Sequence, residues 1–276
     1  MVGVTVVVKI GGARAVDPDG ALSDVASLVE GGTQVVVVHG GSTAVDDTLE
    51  ALGESPEYVE TPSGVVGRFT DERTMEVFSM VLPGQLNTDL VVGLQNEGVD
   101  AVGLSGVDGG LLTGARKSAV RVLEDGKKKI RRGDHSGRIE NVNSDLLETL
   151  LETGHTPVVT VPMLADDGVA VNTDADRAAA AVAGALSGDL VVLTDVPGVL
   201  ADVDDESSVI DRVDSPPTYE TLTAAAEGFM SRKVMAATEA LENGATTATI
   251  ASANTERPIS EALDETNGTL ITPEAL

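Results

Sequence analysis

Short valine-rich runs separated by amphipathic stretches constrain this chain more than any other feature. Val4 to Ile10 and Gln34 to Val38 are apolar almost throughout, rich in β-branched side chains and too short for an ordinary helix. A strand that is apolar on both faces must be covered on both faces, and crossover helices between parallel strands supply that cover. The pattern therefore predicts an α/β fold. Further strands are expected at Ala101 to Leu104, Pro157 to Val161, Leu190 to Thr194 and Thr247 to Ile250, with helices in the gaps. Asn243 and Gly244 follow the Val234, Thr238, Leu241 stripe as a helix C-cap would. Arg116 to Asn141 and Tyr58 to Phe69 lack a helical stripe and read as hairpins. With no repeat and no low-complexity linker, one fold with two lobes is the simplest organisation, divided near residue 172.

Charge and composition bound the partners. The chain has 276 residues, 18 Lys and Arg against 45 Asp and Glu, and a net charge of −27. Trp is absent, Lys numbers six, and the acids run along the whole length, a composition suited to solubility at high salt. The absence of Cys excludes disulfides and thiolate sites. No apolar run approaches the roughly 18 to 20 residues that span a bilayer, and the N-terminus has no basic leader. A cytoplasmic protein that binds neither membrane nor nucleic acid is expected.

Neither G-x-x-x-x-G-K-[ST] nor G-x-G-x-x-G occurs, so a nucleotide would need another phosphate cradle. Two glycine pairs offer one. Lys9-Ile10-Gly11-Gly12 and His39-Gly40-Gly41-Ser42 each close a strand, where backbone N–H groups can approach an anion. Either pair alone is equally well explained as a tight strand-to-helix turn. Four of the six lysines, Lys117, Lys127, Lys128 and Lys129, share one segment, which isolates Lys9 and Lys233. In a chain that avoids Lys, those two are candidate clamps on a transferring phosphoryl group. Asn172-Thr173-Asp174-Ala175-Asp176 precedes an Ala-rich helix at Arg177 to Leu186. Thr173 with Asp176 could form a capping box; alternatively Asn172 binds substrate and Asp176 orients both lysines, and the segment alone does not choose.

In order, Lys9 to Gly12, His39 to Gly41, Gly67-Arg68-Phe69-Thr70-Asp71, Gly103 to Gly106, Asn172 to Asp176, Leu193 to Val199 and Lys233 resemble the amino-acid kinase family, in its acetylglutamate kinase branch. The resemblance implies an αβα sandwich with a mainly parallel sheet, residues 1–172 binding the acceptor and residues 173–276 binding ATP. It places Lys9 and Lys233 at the transition state, with Asp176 organising them. It assigns Gly40, Gly41, Arg68 and Asn172 to the acceptor, and Gly11, Gly12, Thr194, Asp195 and Gly198 to the nucleotide. Mg²⁺ would bridge the ATP phosphates, with no metal ligand assigned to the chain itself. A homodimer is also implied.

Three stretches narrow the resemblance to kinases of glutamate or aminoadipate attached to the acidic carrier protein LysW: Pro62-Ser63-Gly64, Lys117 to Arg132, and Asp134 to Asn143. Phe229 departs from the family pattern where a second Gly is usual, and Gly67 where Ser is more common. Charge supports a carrier independently. Arg116 to Arg138 holds nine basic residues, half of the total, against Glu124, Asp125 and Asp134. A basic island on so acidic a body calls for an anionic partner. The rivals are acetylglutamate kinase, which acts on the free amino acid, and a non-catalytic nucleotide or amino-acid sensor on the same fold.

Overall fold

The computed structural model describes residues 4–11, 18–62, 64, 66–124 and 126–276. The chain opens with strand β1 (Val6–Ile10), helix α1 (Pro18–Glu30), β2 (Val35–His39) and α2 (Ser42–Ala51). A small hairpin, β3 (Tyr58–Glu60) with β4 (Val66–Arg68), leads into α3 (Glu72–Met80) and α4 (Asn87–Asn96), joined by a π-helical turn at Val81–Leu86. Then come β5 (Ala101–Gly106), the long hairpin β6 (Leu112–Glu124) and β7 (Lys127–Val142), α5 (Ser144–Glu152), β8 (Thr156–Ala165) and β9 (Ala170–Val171). The remainder is α6 (Ala175–Ala185), β10 (Asp189–Thr194), β11 (Arg212–Val213), α7 (Pro216–Ala225), α8 (Gly228–Glu242), β12 (Thr247–Ser252), α9 (Pro258–Leu263) and β13 (Thr269–Ile271).

Among the described residues one large sheet runs β11-β13-β12-β10-β1-β2-β8-β6-β7, with β5 and β9 also pairing to β8. Its centre is parallel: β12, β10, β1, β2 and β8 are joined by parallel ladders. Antiparallel pairs occur at β12·β13, β6·β7 and β8·β9. Every expected strand is present, within a few residues at its ends. The two anticipated hairpins are β3–β4 and β6–β7. Short β9, β11 and β13 were not anticipated, because two or three residues carry no periodicity.

Alternation explains why the strands read as unbroken valine. Val7, Val36, Val38, Val159 and Val192 face one cluster with the helices α6 and α8, whereas Val6, Val8, Val35, Val37, Val158 and Val191 face another with α1 and α9. Helix α6 presents Ala178, Ala179, Ala180 and Ala183 inward, and such small side chains let it lie close against the central strands. That approach sets the site. At the far end of α8, Asn243 is the C-cap and Gly244 has φ of +107°, as the sequence pattern requires.

The stretch Glu72–Asn96 is long and apolar enough, by length and composition, to cross a membrane. Met75, Val77, Phe78, Val81, Leu82 and Leu94 of this stretch are buried in the core, whereas Met80 and Val92 are about half exposed.

Candidate active site

A cleft of about 1690 Å³ opens beside the carboxyl ends of β1, β2 and β10. It is lined by Lys9, Gly11, Gly40, Gly41, Arg68, Asn172, Asp176, Thr194, Asp195 and Lys233, residues distant in sequence that the parallel sheet collects at one edge. Gly12 lies outside the described residues. Gly198 is not among the cleft-lining residues. A Cβ there would meet the Thr269 hydroxyl at 2.9 Å and Val209 at 3.0 Å, so packing against β13 favours glycine at this position.

The cleft holds a buried charge triad. Lys9 Nζ lies 2.6 Å from Asp176 Oδ1, and Lys233 Nζ lies 3.3 Å from Asp176 Oδ2. The three side chains are only 8%, 15% and 12% exposed for Lys9, Lys233 and Asp176. Each comes from a different element: Lys9 from the middle of the sheet, Asp176 from the first turn of α6, Lys233 from α8 packed on α6. Burial alone would raise the Asp176 carboxyl, but the two ammonium groups and their hydrogen bonds hold it below its ordinary value. Burial, and then repulsion from Lys9, lowers Lys233 below an ordinary lysine, with Asp176 opposing. Two cations thus share one anion in a confined space, which leaves local positive charge for a phosphate.

The capping question is settled by Asp174. Its side chain accepts from the backbone N–H of Asp176 (2.9 Å) and Arg177 (3.2 Å) and so caps α6. Thr173 with Asp176 is therefore not a capping box, and the Asp176 carboxylate is turned instead to the lysines.

Helix N-termini add further positive potential. Helix α2 starts after Gly41 with no side-chain cap, and α8 starts after Glu227 with none either; Ser42, Thr43, Phe229 and Met230 from their first turns line the cleft. Uncapped N–H groups facing a cavity are a ready anion site. Gly41 is also required by packing, since a Cβ would meet Leu86 Cδ1 at 2.2 Å.

His39, next to the pair, is a supporting residue. Its Nδ1 donates to the Gly40 carbonyl (2.9 Å), and Nε2 accepts from Asn87 Nδ2 (3.1 Å), which also donates to the Val158 carbonyl (2.9 Å). These partners define a neutral imidazole, and burial pushes its pKa down to about 4. The ring orients the Gly40 peptide without supplying charge.

Arg68 meets company that the sequence did not show. Its guanidinium is ion-paired to Asp46, donates to the Ser42 carbonyl and the Tyr58 hydroxyl (both 3.1 Å), and lies over the Tyr58 and Phe78 rings. Asp46 also accepts from the Tyr58 hydroxyl at 2.8 Å. Asn172 Nδ2 donates to the Thr70 hydroxyl at 3.2 Å, and its backbone is tied to β7 through His135 and Gly137. Fully buried Asp134 accepts from Ser136 and from the Thr70 N–H (3.4 Å), bracing the same loop. Thr70 and Asp134 fall within stretches that carry the resemblance, but nothing local in the sequence shows these partnerships. Asp46 and Tyr58 were not singled out, although Asp46 lies one turn into the helix after Gly40-Gly41-Ser42.

A parallel α/β sheet with a lysine pair bridged by one carboxylate, set among glycine turns and open helix N-termini, defines a phosphoryl-transfer protein. Comparison with known proteins makes this specific. A model of the amino acid kinase family matches residues 4–252, and the chain belongs to that family. It is 43% identical over 264 residues to the [LysW]-aminoadipate kinase of Thermus thermophilus, covering 94% of this chain and 97% of the relative. It is 40% identical over 270 residues to a putative [LysW]-aminoadipate/[LysW]-glutamate kinase of Cenarchaeum symbiosum, covering 96% and 98%. The acetylglutamate kinase of Methanopyrus kandleri is 41% identical over 247 residues, covering 88% and 93%. Among solved structures, a Giardia carbamate kinase shares the fold at a TM-score of 0.68 and 17% identity, covering 99% of both chains. The chain is a kinase.

Proposed function

We propose that this kinase uses ATP to phosphorylate the side-chain carboxylate of glutamate or aminoadipate held on an acidic LysW-type carrier, giving an acyl phosphate for arginine or lysine biosynthesis. The observation that carries the reading is the buried Lys9–Asp176–Lys233 triad in a cleft faced by two uncapped helices. The relatives' printed substrates supply the acceptor. Residues 1–172 would form the acceptor side and residues 173–276 the ATP side. The family is the ground for reading the protein as a cytoplasmic homodimer.

The mechanism follows from charge placement. Arg68, pre-oriented by Asp46 and Tyr58, and Asn172 would hold the acceptor, whose carboxylate is already ionised at neutral pH and needs no general base. Lys9 and the N–H groups from Gly40 to Thr43 would stabilise the γ-phosphoryl oxygens as the acceptor oxygen attacks in line. Lys233 and the start of α8 would take the charge that develops on the leaving phosphate, while Asp176 keeps the two ammonium groups at fixed positions. Thr194, Asp195 and Gly11 would line the nucleotide's path. Mg²⁺ bound together with ATP would neutralise charge on the phosphates.

The fold divides the basic island into two faces. Directly opposed residues in β6 and β7 share a side, so Arg131 and Lys129 lie with Val120 and Val122, while Arg121, Lys128 and Arg132 surround Ile130 on the other. On the first side Arg131 is ion-paired to Glu57 and Lys129 to Glu124 (2.8 Å). On the second, none of the three cations has an ion-pair partner among the described residues, and Ile130 is 69% exposed. An acidic carrier would dock on that second face, its tail reaching the cleft past Lys117 and Arg138, which line it. Lys127 to Lys129 therefore do not act as one patch.

A hydroxylamine trap for acyl phosphate, with carrier-linked glutamate, carrier-linked aminoadipate and free N-acetylglutamate as acceptors, tests the reading. Turnover restricted to carrier-linked acceptors is expected. Turnover of free N-acetylglutamate alone would instead make this an acetylglutamate kinase, the reading favoured by the Methanopyrus relative. Nucleotide binding with no turnover of any acceptor would leave a sensor.

A further inference from the structure

We infer that Arg232 is a positioning residue that ties the nucleotide helix α8 to the acceptor hairpin β3–β4, so that nucleotide binding orders the hairpin. The inference rests on the assignment of ATP to the α8 side of the cleft and the acceptor to the Arg68 side. Arg232 precedes Lys233 on α8, and its Nη2 donates to the Val66 carbonyl at 2.5 Å, across 166 residues of sequence. Val66 begins β4, and Arg68 ends it. One guanidinium thus links the helix that carries a reacting-centre lysine to the three-residue strand that carries the acceptor arginine.

The hairpin needs such a tie. Two strands of three residues, paired only at Tyr58↔Arg68, Val59↔Gly67 and Glu60↔Val66, form a sheet separate from the main one and would be marginal alone. At its Arg68 end it is anchored to α2 through Asp46 and the Ser42 carbonyl. At its Val66 end Arg232 supplies an anchor, at the cleft wall, where Val66 is 52% and Phe229 80% exposed. Phe229 gives Arg232 a ring to lie over, 5.5 Å from the centroid. When phosphates draw on Lys233 and the N-terminus of α8, the position of that helix is imposed on β4 through a charge-assisted bond. A strap of this kind couples two sites by a modest factor.

The test is hydrogen exchange of the segment 57–69 in the full chain, with and without Mg²⁺ and the non-hydrolysable analogue AMP-PNP, in wild type, Arg232→Gln and Arg232→Lys. In wild type, AMP-PNP should slow exchange in the hairpin by about three- to tenfold. Arg232→Gln should abolish that response while AMP-PNP affinity changes less than about threefold, and Arg232→Lys should retain part of it by keeping the charge. In turnover, Arg232→Gln should raise KM for the acceptor more than it lowers kcat. A wild-type hairpin that ignores bound AMP-PNP, or a response that persists in Arg232→Gln, overturns the coupling and leaves the nucleotide site standing. Failure of AMP-PNP to bind wild type overturns both.

Discussion

Replacing Asp176 with Asn keeps the shape of the side chain and removes the carboxylate that bridges Lys9 and Lys233. Taking one partner from a buried ion pair costs about 3 to 5 kcal/mol, because the remaining charge is stranded. Here an upper bound applies: a stranded lysine can deprotonate, and from pH 7 to an ordinary lysine pKa of about 10.4 that costs about 1.4 kcal/mol per unit, about 5 kcal/mol in all. Lys233 is already lowered, and the side chains keep 8 to 15% exposure to the cleft, so a loss of about 2 to 4 kcal/mol is expected. Urea unfolding of wild type and variant at several pH values measures it. The sign is set by Lys233. In the variant its folded pKa falls further below the unfolded value, the unfolded chain then binds more protons at intermediate pH, and stability rises as pH rises toward 10. The deficit should therefore narrow on going from pH 7 to 10. AMP-PNP, whose phosphates replace the missing anion, should bind the variant at least as tightly as wild type while kcat falls by about 10² or more. A deficit under about 0.5 kcal/mol, or one that does not change with pH, would refute the charge argument and leave only packing.

Lys9→Ala and Lys233→Ala should each lower kcat by about 10² or more at saturating ATP, and the wild-type alkaline limb of kcat should fall below the ordinary lysine pKa because Lys233 is depressed. His39, lowered from 6.5 to about 4, holds its proton less tightly folded than unfolded, so its contribution is complete above pH 6.5 and is lost between 6.5 and about 4. Acid titration of stability should show a total loss of about 3 kcal/mol across that window, absent in His39→Gln. Arg68→Lys should raise KM for the acceptor with ATP affinity unchanged, because one ammonium cannot reproduce the planar contacts to Asp46, Ser42 and Tyr58. Substituting Arg121, Lys128 and Arg132 by Gln at low salt should raise KM for a carrier-linked acceptor but not for a short peptide mimic of its tail, whereas Lys129→Gln should do neither.

The sequence by itself determined the scaffold and singled out the candidate charged groups. Continuous Val runs can be satisfied only by strands covered on both faces, so β1, β2, β8, β10 and β12 were legible from composition and length. Lys9 and Lys233 stood out because this chain is sparing with lysine, and the glycine pairs because they close strands. What each of these groups touches was decided only by the tertiary structure. Asp176 could cap a helix or bridge two lysines until α6 packed against β1 and Asp174 took the cap. Arg68 showed no sign of Asp46, 22 residues earlier, nor Val66 of Arg232. The basic island read as one patch until strand pairing sent its cations to opposite faces, some neutralised and some not. Periodicity and residue chemistry are local and survive in a one-dimensional string, whereas ion pairing and partner choice depend on separations of a few ångströms between groups that only the folded sheet brings together.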